Sequence, residues 1–323
     1  MTSADSFDQD YEALRHTVGA VALGRDVLRV SGPDAVEYLQ GQLSQDVAAL
    51  DVGESADSLI LTPQGKLDAL VRVSRHAADE LIVDVDAGFG DAVVARMERF
   101  KLRVKAVIER LDWHAVALRG PGAATLATTG GASGDTVLAL RFSWNGVEGI
   151  DLLGPAPEVP EGVRACSVEA WESVRVEAGI PVMGAELDER TIAAEVDLLE
   201  RSVSFTKGCY TGQELVARLD ARGNRVARHL RGLVVAGPAP RPATVSPGSD
   251  IVLDGKVVGS VTSTAWSPAL GCPVALGYVH RAVPVPGAVD IRPSRPGGAD
   301  DADGADDGTT SALRAEVRTL PLV

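Results

Sequence analysis

One short segment of the chain brings together a thiol, an amine, an amide and a carboxylate. Residues 207–214 read Lys-Gly-Cys-Tyr-Thr-Gly-Gln-Glu, so Cys209 follows a glycine and lies close to Lys207. Thr211 and Glu214 have the spacing of a capping box, which predicts a helix with Thr211 as its N-cap. A thiol just outside that helix feels both the helix dipole and the lysine. Both favour the thiolate, which is the nucleophilic and metal-binding form.

A cysteine can also act as a small buried apolar residue, and glycines can simply form a turn. A core cysteine needs neither flanking glycines, nor a lysine, nor the polar pair Gln213-Glu214, yet all of these occur together here. The glycines also permit a tight turn and the close approach of a ligand or partner. The combination favours a reactive Cys209 over a structural one.

Other common kinds of chemical site are not indicated. Cys166, Cys209 and Cys272 lie far apart, with no CxxC pair and no His/Cys cluster at zinc spacing. We therefore expect neither a disulfide framework nor a complete metal site. There is no GxGxxG after a strand and no GxxxxGK[ST], so a nucleotide-phosphate loop is not indicated. The histidines are scattered, and we assign none of them a catalytic role.

Charge and hydropathy limit the partners and the compartment. A net charge of −14 and a pI of about 4.8 argue against non-specific nucleic-acid binding. No run approaches the roughly 20 apolar residues of a membrane span. Residues 1–11 are too polar and acidic for a signal peptide. We therefore predict a cytoplasmic protein with no nucleic-acid or membrane partner. An acidic run at 300–307 predicts a solvated, disordered loop over 294–311.

The elements that must position residues 207–214 alternate irregularly between helices and strands, with hairpins. This pattern predicts an α+β fold rather than a doubly wound parallel sheet. Apolar residues at helical spacing predict helices over 34–50 and 88–101. A further helix over 167–178 is predicted to stop at Gly179.

The C-terminal part of the chain has a different character. A Pro- and Gly-rich stretch at 236–248 reads as an interdomain linker, and the short β-like runs beyond it predict a small barrel. We therefore divide the chain into an α+β region of two subdomains over 1–235 and a C-terminal β-barrel over 236–323.

The sequence also resembles a known protein family. KGCYTGQELVAR at 207–218 resembles the signature of the folate-binding YgfZ family, which is associated with the assembly, maintenance and repair of iron–sulfur proteins. That family is related to the T-protein of glycine cleavage, an aminomethyltransferase. RVEAGIP at 175–181 is similar to a segment that both families share. Residues 39–47, 62–66 and 228–230 are similar to further family elements, so the resemblance spans essentially the whole chain.

The resemblance implies a T-protein-like ring of subdomains around a central folate-binding hole, with tetrahydrofolate as the ligand. It implies that Glu177 hydrogen-bonds the pterin, because a carboxylate can accept two parallel N–H bonds from an aminopyrimidine edge. The alternative for Glu177 is a surface helix residue. Lys207 and Arg228 either meet the glutamate tail of folate or are solvated charges. The expected cofactor-binding residues are Glu177, Glu195, Lys207, Tyr210, Gln213 and Arg228.

The role of Asp68 distinguishes an enzymatic function from a non-enzymatic one. T-proteins carry two successive aspartates after a pair of glycines, and one aspartate assists one-carbon transfer. Here the second aspartate is replaced by Ala69, and Lys66 replaces a glycine. Asp68 therefore either occupies the catalytic position or is a lone carboxylate on a strand that faces water.

Three aromatic residues, Tyr38, Trp144 and Trp171, could stack on a pterin. Because aromatic residues make up only 4% of the chain, we expect core packing for each.

Three functional hypotheses follow. The first is a tetrahydrofolate-binding accessory protein that acts through Cys209 on iron–sulfur client enzymes or assembly factors. The second is a folate-dependent aminomethyltransferase that uses Asp68. The third is a non-enzymatic interaction module in which Cys209 is structural.

Overall fold

The strands that the structure describes form two five-stranded sheets and one closed barrel. The structure is a computed structural model, and it describes residues 3–129, 137–236, 245–292 and 312–323. The acidic loop predicted over 294–311 lies outside the described residues, and so does the middle of the predicted linker, 237–244. Within the described residues, no helix is long and apolar enough to cross a membrane.

The first sheet is wholly antiparallel and has the order β3-β4-β5-β2-β6. Its strands are β2 Arg25–Ser31, β3 Ser55–Leu61, β4 Leu67–Ala77, β5 Glu80–Asp86 and β6 Val107–Leu111. At the start of β4, Leu67 and Ala69 are buried, and Asp68 between them is the extra residue of a β-bulge against β3.

The second sheet has the order β10-β1-β7-β9-β8, with β10 parallel to β1 and the other pairs antiparallel. Its strands are β1 Gly19–Leu23, β7 His114–Arg119, β8 Leu138–Trp144, β9 Val147–Gly154 and β10 Arg164–Ala165. A buried cluster that includes Val27, Ile82, Ala115 and Leu153 joins this sheet to the first one.

The described residues contain seven α-helices and two 3-10 turns. The helices are α1 Ser3–His16, α2 Ala35–Gln42, α3 Gly90–Phe100, α4 Ala123–Thr129, α5 Val168–Ala178, α6 Leu199–Ser202 and α7 Gln213–Asp220; the turns are Val47–Ala49 and Ala193–Glu195. The polar N-terminal segment forms α1, which packs on α5 and on β1.

The predicted C-terminal barrel is confirmed as a closed six-stranded barrel. Its strands are β11 Arg228–Val235, β12 Asp250–Leu253, β13 Lys256–Ser267, β14 Cys272–His280, β15 Gly287–Arg292 and β16 Leu313–Arg318. The first barrel strand therefore lies on the N-terminal side of the boundary that we drew between 235 and 236. With the helices and the two sheets before it, the barrel confirms the predicted α+β fold with a C-terminal β-barrel.

Local sequence signals predicted the bounds of one helix correctly and the end of another helix incorrectly. Ser167 accepts a hydrogen bond from the N–H of Ala170, and Gly179 adopts a left-handed φ of 71°, so α5 begins and ends as predicted. The helix predicted over 34–50 is wrong after Gln42. Leu43 is extended there and bridges to Ile60 of β3, so tertiary pairing replaces the helical continuation.

Candidate functional site

A central cavity of about 390 Å³ lies where both sheets meet α5 and the segment that follows it. The first sheet contributes side chains from β2 to β5, the second from β1, β7, β8 and β9, and α5 closes another side. The lining combines charged groups with three aromatic rings. Its volume falls within the range of small-molecule sites, which typically measure about 300–1,000 Å³.

Aromatic rings form one wall of this central cavity. Phe142 and Trp171 meet edge to face, with their centroids 6.4 Å apart. The guanidinium of Arg119 lies 3.8 Å from the Phe142 ring centroid and 5.1 Å from that of Trp171. Trp144 lies under the guanidinium of Arg201 at 3.7 Å. As predicted, both tryptophans pack in the hydrophobic core, at 6% and 8% exposure, and they also line the cavity.

A chain of alternating charges forms another wall. Arg72 donates to Asp84 at 3.0 Å and to Asp151 at 2.6 Å. Arg25 pairs with Asp84 at 2.6 Å, and Arg119 pairs with Asp151 at 2.7 Å. All the side chains of this buried charge network are largely withdrawn from water, and that of Asp84 is 0% exposed.

Burial alone would raise the pKa of Asp151, but the guanidinium charges of Arg119 and Arg72 outweigh it and lower that pKa to about 2. The network is therefore ionised at neutral pH. Among the described residues, one of its donors, Nε of Arg119, is buried without a hydrogen-bond partner.

The Cys209 loop, residues 207–212, lies elsewhere, against the end of α2. Nζ of Lys207 donates to the backbone carbonyls of Gln40, Leu43 and Gln45 at 2.6, 2.7 and 2.8 Å. Burial lowers the pKa of Lys207 to about 8, although Asp46 acts in the opposite direction. The lysine therefore fastens the loop to the first subdomain.

The predicted N-cap at Thr211 is wrong. The helix begins at Gln213, with Gly212 as its N-cap at a φ of 85°. A Cβ on Gly212 would lie 2.6 Å from the carbonyl oxygen of Thr62, so only glycine fits this close contact with the β3–β4 turn. The thiol of Cys209 is free and exposed, on a loop that is held at both ends.

Tyr210 and Gln213 extend the same arrangement. The Tyr210 N–H donates to Oε1 of Gln213 at 3.2 Å, and the Tyr210 ring centroid lies 5.2 Å from Nζ of Lys207. The structure therefore brings three of the predicted cofactor-binding residues together beside Cys209.

Glu195 and Arg228 form a second group. The carboxylate of Glu195 accepts from Nε and Nη2 of Arg228, both at 3.2 Å, and this guanidinium lies 4.1 Å from the ring centroid of Tyr278. Glu195 also accepts from the N–H of Ile192. Glu195 and Arg228 therefore form an ion pair that links the 3-10 turn at 193–195 to the first strand of the barrel.

Glu177 lies at a different junction and is 0% exposed. Its carboxylate accepts from the hydroxyl of Tyr11 at 2.8 Å and from the hydroxyl of Ser267, while its backbone carbonyl accepts from the N–H of Leu322. The alternative of a surface helix residue is therefore wrong, because α1 and the barrel close over this residue of α5. Its contact with a pterin stays a prediction.

Asp68 is held by Nε of Arg96 at 3.0 Å, and its side chain is 28% exposed. Asp68 is the residue of β4 that the pairing register skips, because Leu61 pairs with Leu67 and Ile60 pairs with Ala69. Such a β-bulge interrupts the regular alternation of strand faces. Asp68 is not among the residues that line the cavity.

None of the eight residues predicted from the sequence is among the residues that line the central cavity. Those predictions remain untested, and the charged wall of the cavity was missed. A signal for it existed: Arg72 and Asp84 interrupt the apolar runs of two strands, and a charge in a buried strand needs a partner.

Comparison with known proteins identifies the fold and the family of this chain. The crystal structure of glycine cleavage system aminomethyltransferase T from Bartonella henselae matches 98% of this chain and 89% of its own, with a TM-score of 0.79 at 22% sequence identity. The chain thus has the fold of that protein. The GCVT N-terminal domain matches residues 2–154, and the glycine cleavage T-protein C-terminal barrel domain matches residues 228–296. The chain belongs to the T-protein-like family.

Relatives at the sequence level carry two kinds of description. An aminomethyltransferase of Bordetella petrii is 29% identical over 322 residues, which cover 89% of this chain and 84% of that protein. An aminomethyltransferase of Corynebacterium jeikeium is 27% identical and covers 88% and 87%. An uncharacterized protein of Haemophilus influenzae is 27% identical over 199 residues, which cover 61% of this chain and 66% of that protein.

Proposed function

We propose that this protein is a cytoplasmic, tetrahydrofolate-binding accessory protein of the YgfZ type for the assembly, maintenance or repair of iron–sulfur enzymes. Folate binds in the central cavity, and Cys209 acts on the client enzymes or assembly factors. The observation that carries the folate part is the aromatic wall of a cavity of about 390 Å³.

The residues that are present fit a pterin. A flat heteroaromatic ring can stack on Phe142, Trp144 or Trp171, which supply the apolar area of a binding site at low entropic cost. The lining guanidiniums and carboxylates neutralise one another, which suits a ring system that carries no net charge.

The accessory role rests on Cys209. Its thiol is exposed and free, and the loop that carries it is fixed by Lys207 and Gly212 rather than buried. An accessible single thiolate can ligate iron transiently without forming a stable site, which suits repair and transfer better than storage. Within the described residues, no group of three or more His, Cys, Asp or Glu side chains could hold a metal ion.

Substitution of Trp171 by leucine tests the folate site. We expect the affinity for tetrahydrofolate to fall by tenfold or more, about 1.4 kcal/mol, because the stacking surface is lost. Isothermal titration calorimetry measures this directly. Trp113→Leu is the matched control, since Trp113 packs between the sheets outside the cavity. If Trp171→Leu does not fold, Trp144→Phe provides the second variant; unchanged affinity in a folded variant would contradict the site.

Substitution of Cys209 by serine tests the accessory role. We expect cells with Cys209→Ser to lose as much activity of an oxygen-sensitive iron–sulfur dehydratase as cells without the protein. Folding and folate affinity should stay unchanged, because the side chain is exposed and outside the cavity lining. Cys272→Ser is the matched control, because that thiol is partly buried and burial raises its pKa. Full dehydratase activity with Cys209→Ser would argue against the role.

A second function, folate-dependent one-carbon transfer, is favoured by one observation. Asp68 lies on β4, two residues before cavity-lining Leu70, and relatives are described as aminomethyltransferases. An assay of methylene transfer to tetrahydrofolate, with the wild type and Asp68→Ala, separates the two functions. Under the accessory proposal neither protein catalyses transfer. Transfer by the wild type that Asp68→Ala abolishes would establish the second function in its place.

A further inference from the structure

Arg201 contacts two of the residues that line the central cavity. Its guanidinium lies 3.7 Å from the centroid of the Trp144 ring and holds the carboxylate of Asp57 at 2.7 Å. It also donates to the backbone carbonyl of Ser143 at 2.9 Å. Trp144 and Asp57 both line the cavity, whereas Arg201 does not. Arg201 therefore supports this part of the cavity wall from outside the lining.

The same arginine is also tied to the segment that carries Cys209. Arg201 belongs to the one-turn helix α6, and residues 203–206 connect that helix to the Cys209 loop. The backbone carbonyl of Arg201 accepts from Nε2 of Gln45 at 3.3 Å. The backbone carbonyl of Gln45 accepts in turn from Nζ of Lys207 at 2.8 Å. Gln45 therefore links Arg201 to the lysine that fastens the Cys209 loop.

Two further hydrogen bonds hold the chain on either side of Cys209. The N–H of Ser204 donates to the carbonyl of Ser44 at 3.0 Å. The N–H of Thr211 donates to the carbonyl of Gly41 at 3.2 Å. Because both acceptors lie at the end of α2 or just beyond it, that end fixes the loop on both sides of the thiol.

The helix α6 has little stability of its own. It spans only Leu199–Ser202, and a helix of one turn is unfavourable in water without tertiary contacts. The contacts of α6 include β3 on one side and, through Arg201, the cavity wall. The conformation of α6 and of the chain that follows it therefore depends on how that wall is arranged.

We propose that Arg201 is a positioning residue that couples the occupancy of the central cavity to the conformation of the Cys209 loop. Its guanidinium covers one face of Trp144, so a flat ligand stacks on the other face and thereby fixes the ring and the arginine. Binding that rigidifies one part of a protein can order a distant segment without a large structural change. The ligand side of this coupling rests on the proposed function.

Hydrogen–deuterium exchange followed by mass spectrometry tests the coupling, because the N–H groups of Ser204 and Thr211 report on the loop. We expect saturating tetrahydrofolate to slow exchange over residues 203–212 of the wild type by about fivefold or more, the lower end of the coupling between linked sites. In Arg201→Met, saturating ligand should leave this exchange unchanged. Saturation of both proteins removes any difference in their affinities from the comparison.

Arg29→Met is the matched control. Arg29 pairs with Glu109 at 2.6 Å on the first sheet, and neither residue lines the cavity. This variant should keep the full ligand effect. If Arg201 served only global stability, its loss would speed exchange in β14 of the barrel as much as in the loop and would leave the ligand effect in place.

A ligand-free comparison tests the same link without folate. Asp57→Asn keeps the volume of the side chain but removes the charge that holds Arg201. We expect Asp57→Asn and Arg201→Met each to speed exchange over residues 203–212 by about threefold or more. The double variant should add little to the larger single effect, because both substitutions break one link. If Arg201→Met does not fold, Asp57→Asn supplies this measurement and the loss of the ligand effect.

This coupling and the proposed function fail separately. If calorimetry shows that tetrahydrofolate binds, yet exchange over 203–212 is unchanged in the wild type or slowed equally in Arg201→Met, the coupling is overturned and the folate site stands. If tetrahydrofolate does not bind the wild type, the folate part of the proposed function fails. The ligand-free comparison then decides the coupling: exchange in Asp57→Asn that matches the wild type overturns it, and faster exchange upholds it.

Discussion

Arg72→Met should lower the free energy of unfolding by about 3–5 kcal/mol, the range found when one partner of a buried ion pair is removed. Arg72 is the link that joins Asp84 to Asp151 across the two sheets. Without it, Asp84 keeps only Arg25 and Asp151 keeps only Arg119. Both carboxylates stay buried with part of their charge uncompensated, and methionine fills the volume without replacing the charge.

Urea denaturation followed by circular dichroism measures this loss. Arg75→Met is the matched control, since Arg75 lies on the same strand and donates to the backbone carbonyls of Ala77 and Ala78 instead of a carboxylate. We expect the control to lose about 1 kcal/mol or less. Equal losses in the two variants would mean that the buried charge network does not hold the sheets together.

Glu177→Ala should lower the free energy of unfolding by about 2–4 kcal/mol, because it leaves two buried hydroxyls without an acceptor and opens a cavity. Those hydroxyls belong to Tyr11 of α1 and Ser267 of the barrel. Glu177→Gln preserves the volume and one acceptor oxygen, so we expect it to lose much less.

The pH dependence of the Glu177→Gln comparison has a definite sign. Burial raises the pKa of Glu177 above its ordinary value of 4.5, although the hydrogen bonds from Ser267 and Tyr11 act in the opposite direction. The folded state therefore binds the proton more tightly than the unfolded state. The stability that Glu177 contributes is fully present below about pH 4.5 and is lost as the pH rises through the folded pKa. We expect wild type to lose stability relative to Glu177→Gln across that window.

Unfolding free energies of the two proteins at about pH 5 and about pH 8 give the comparison. A difference that grows in favour of the wild type as the pH rises would contradict the assigned cause. Titration of tetrahydrofolate into the folded Glu177→Gln protein also decides the predicted pterin contact. Unchanged affinity would show that this carboxylate joins subdomains and does not bind the ligand.

Much of the architecture was accessible from the sequence, because its signals are local. α5 begins at a serine that caps it and ends at a glycine in the left-handed region, and both residues act within one helical turn. The barrel could be predicted because short β-like runs separated by turns follow one another along the chain. The family signature supplied the arrangement of the subdomains, which no local pattern contains.

The details that failed depend on residues far apart in the chain. Apolar spacing continues past Gln42, but Lys207 binds the carbonyls there and Leu43 bridges to β3, so α2 stops early. The charged wall of the cavity pairs Arg72 with Asp151, which lies on the other sheet. A single sequence shows that each charge interrupts an apolar run, but it does not show which charges meet.

The contact between Gly212 and the β3–β4 turn has a consequence for protein engineering. Gly65 of that turn and Gly212 of the Cys209 loop each adopt a positive φ, and each leaves no room for a side chain against the other's segment. The backbone shapes of the two segments are therefore complementary. A Cys209 loop transplanted into another scaffold would keep its conformation only if the β3–β4 turn were transplanted with it. In diverging homologues, a change in one segment requires a matching change in the other.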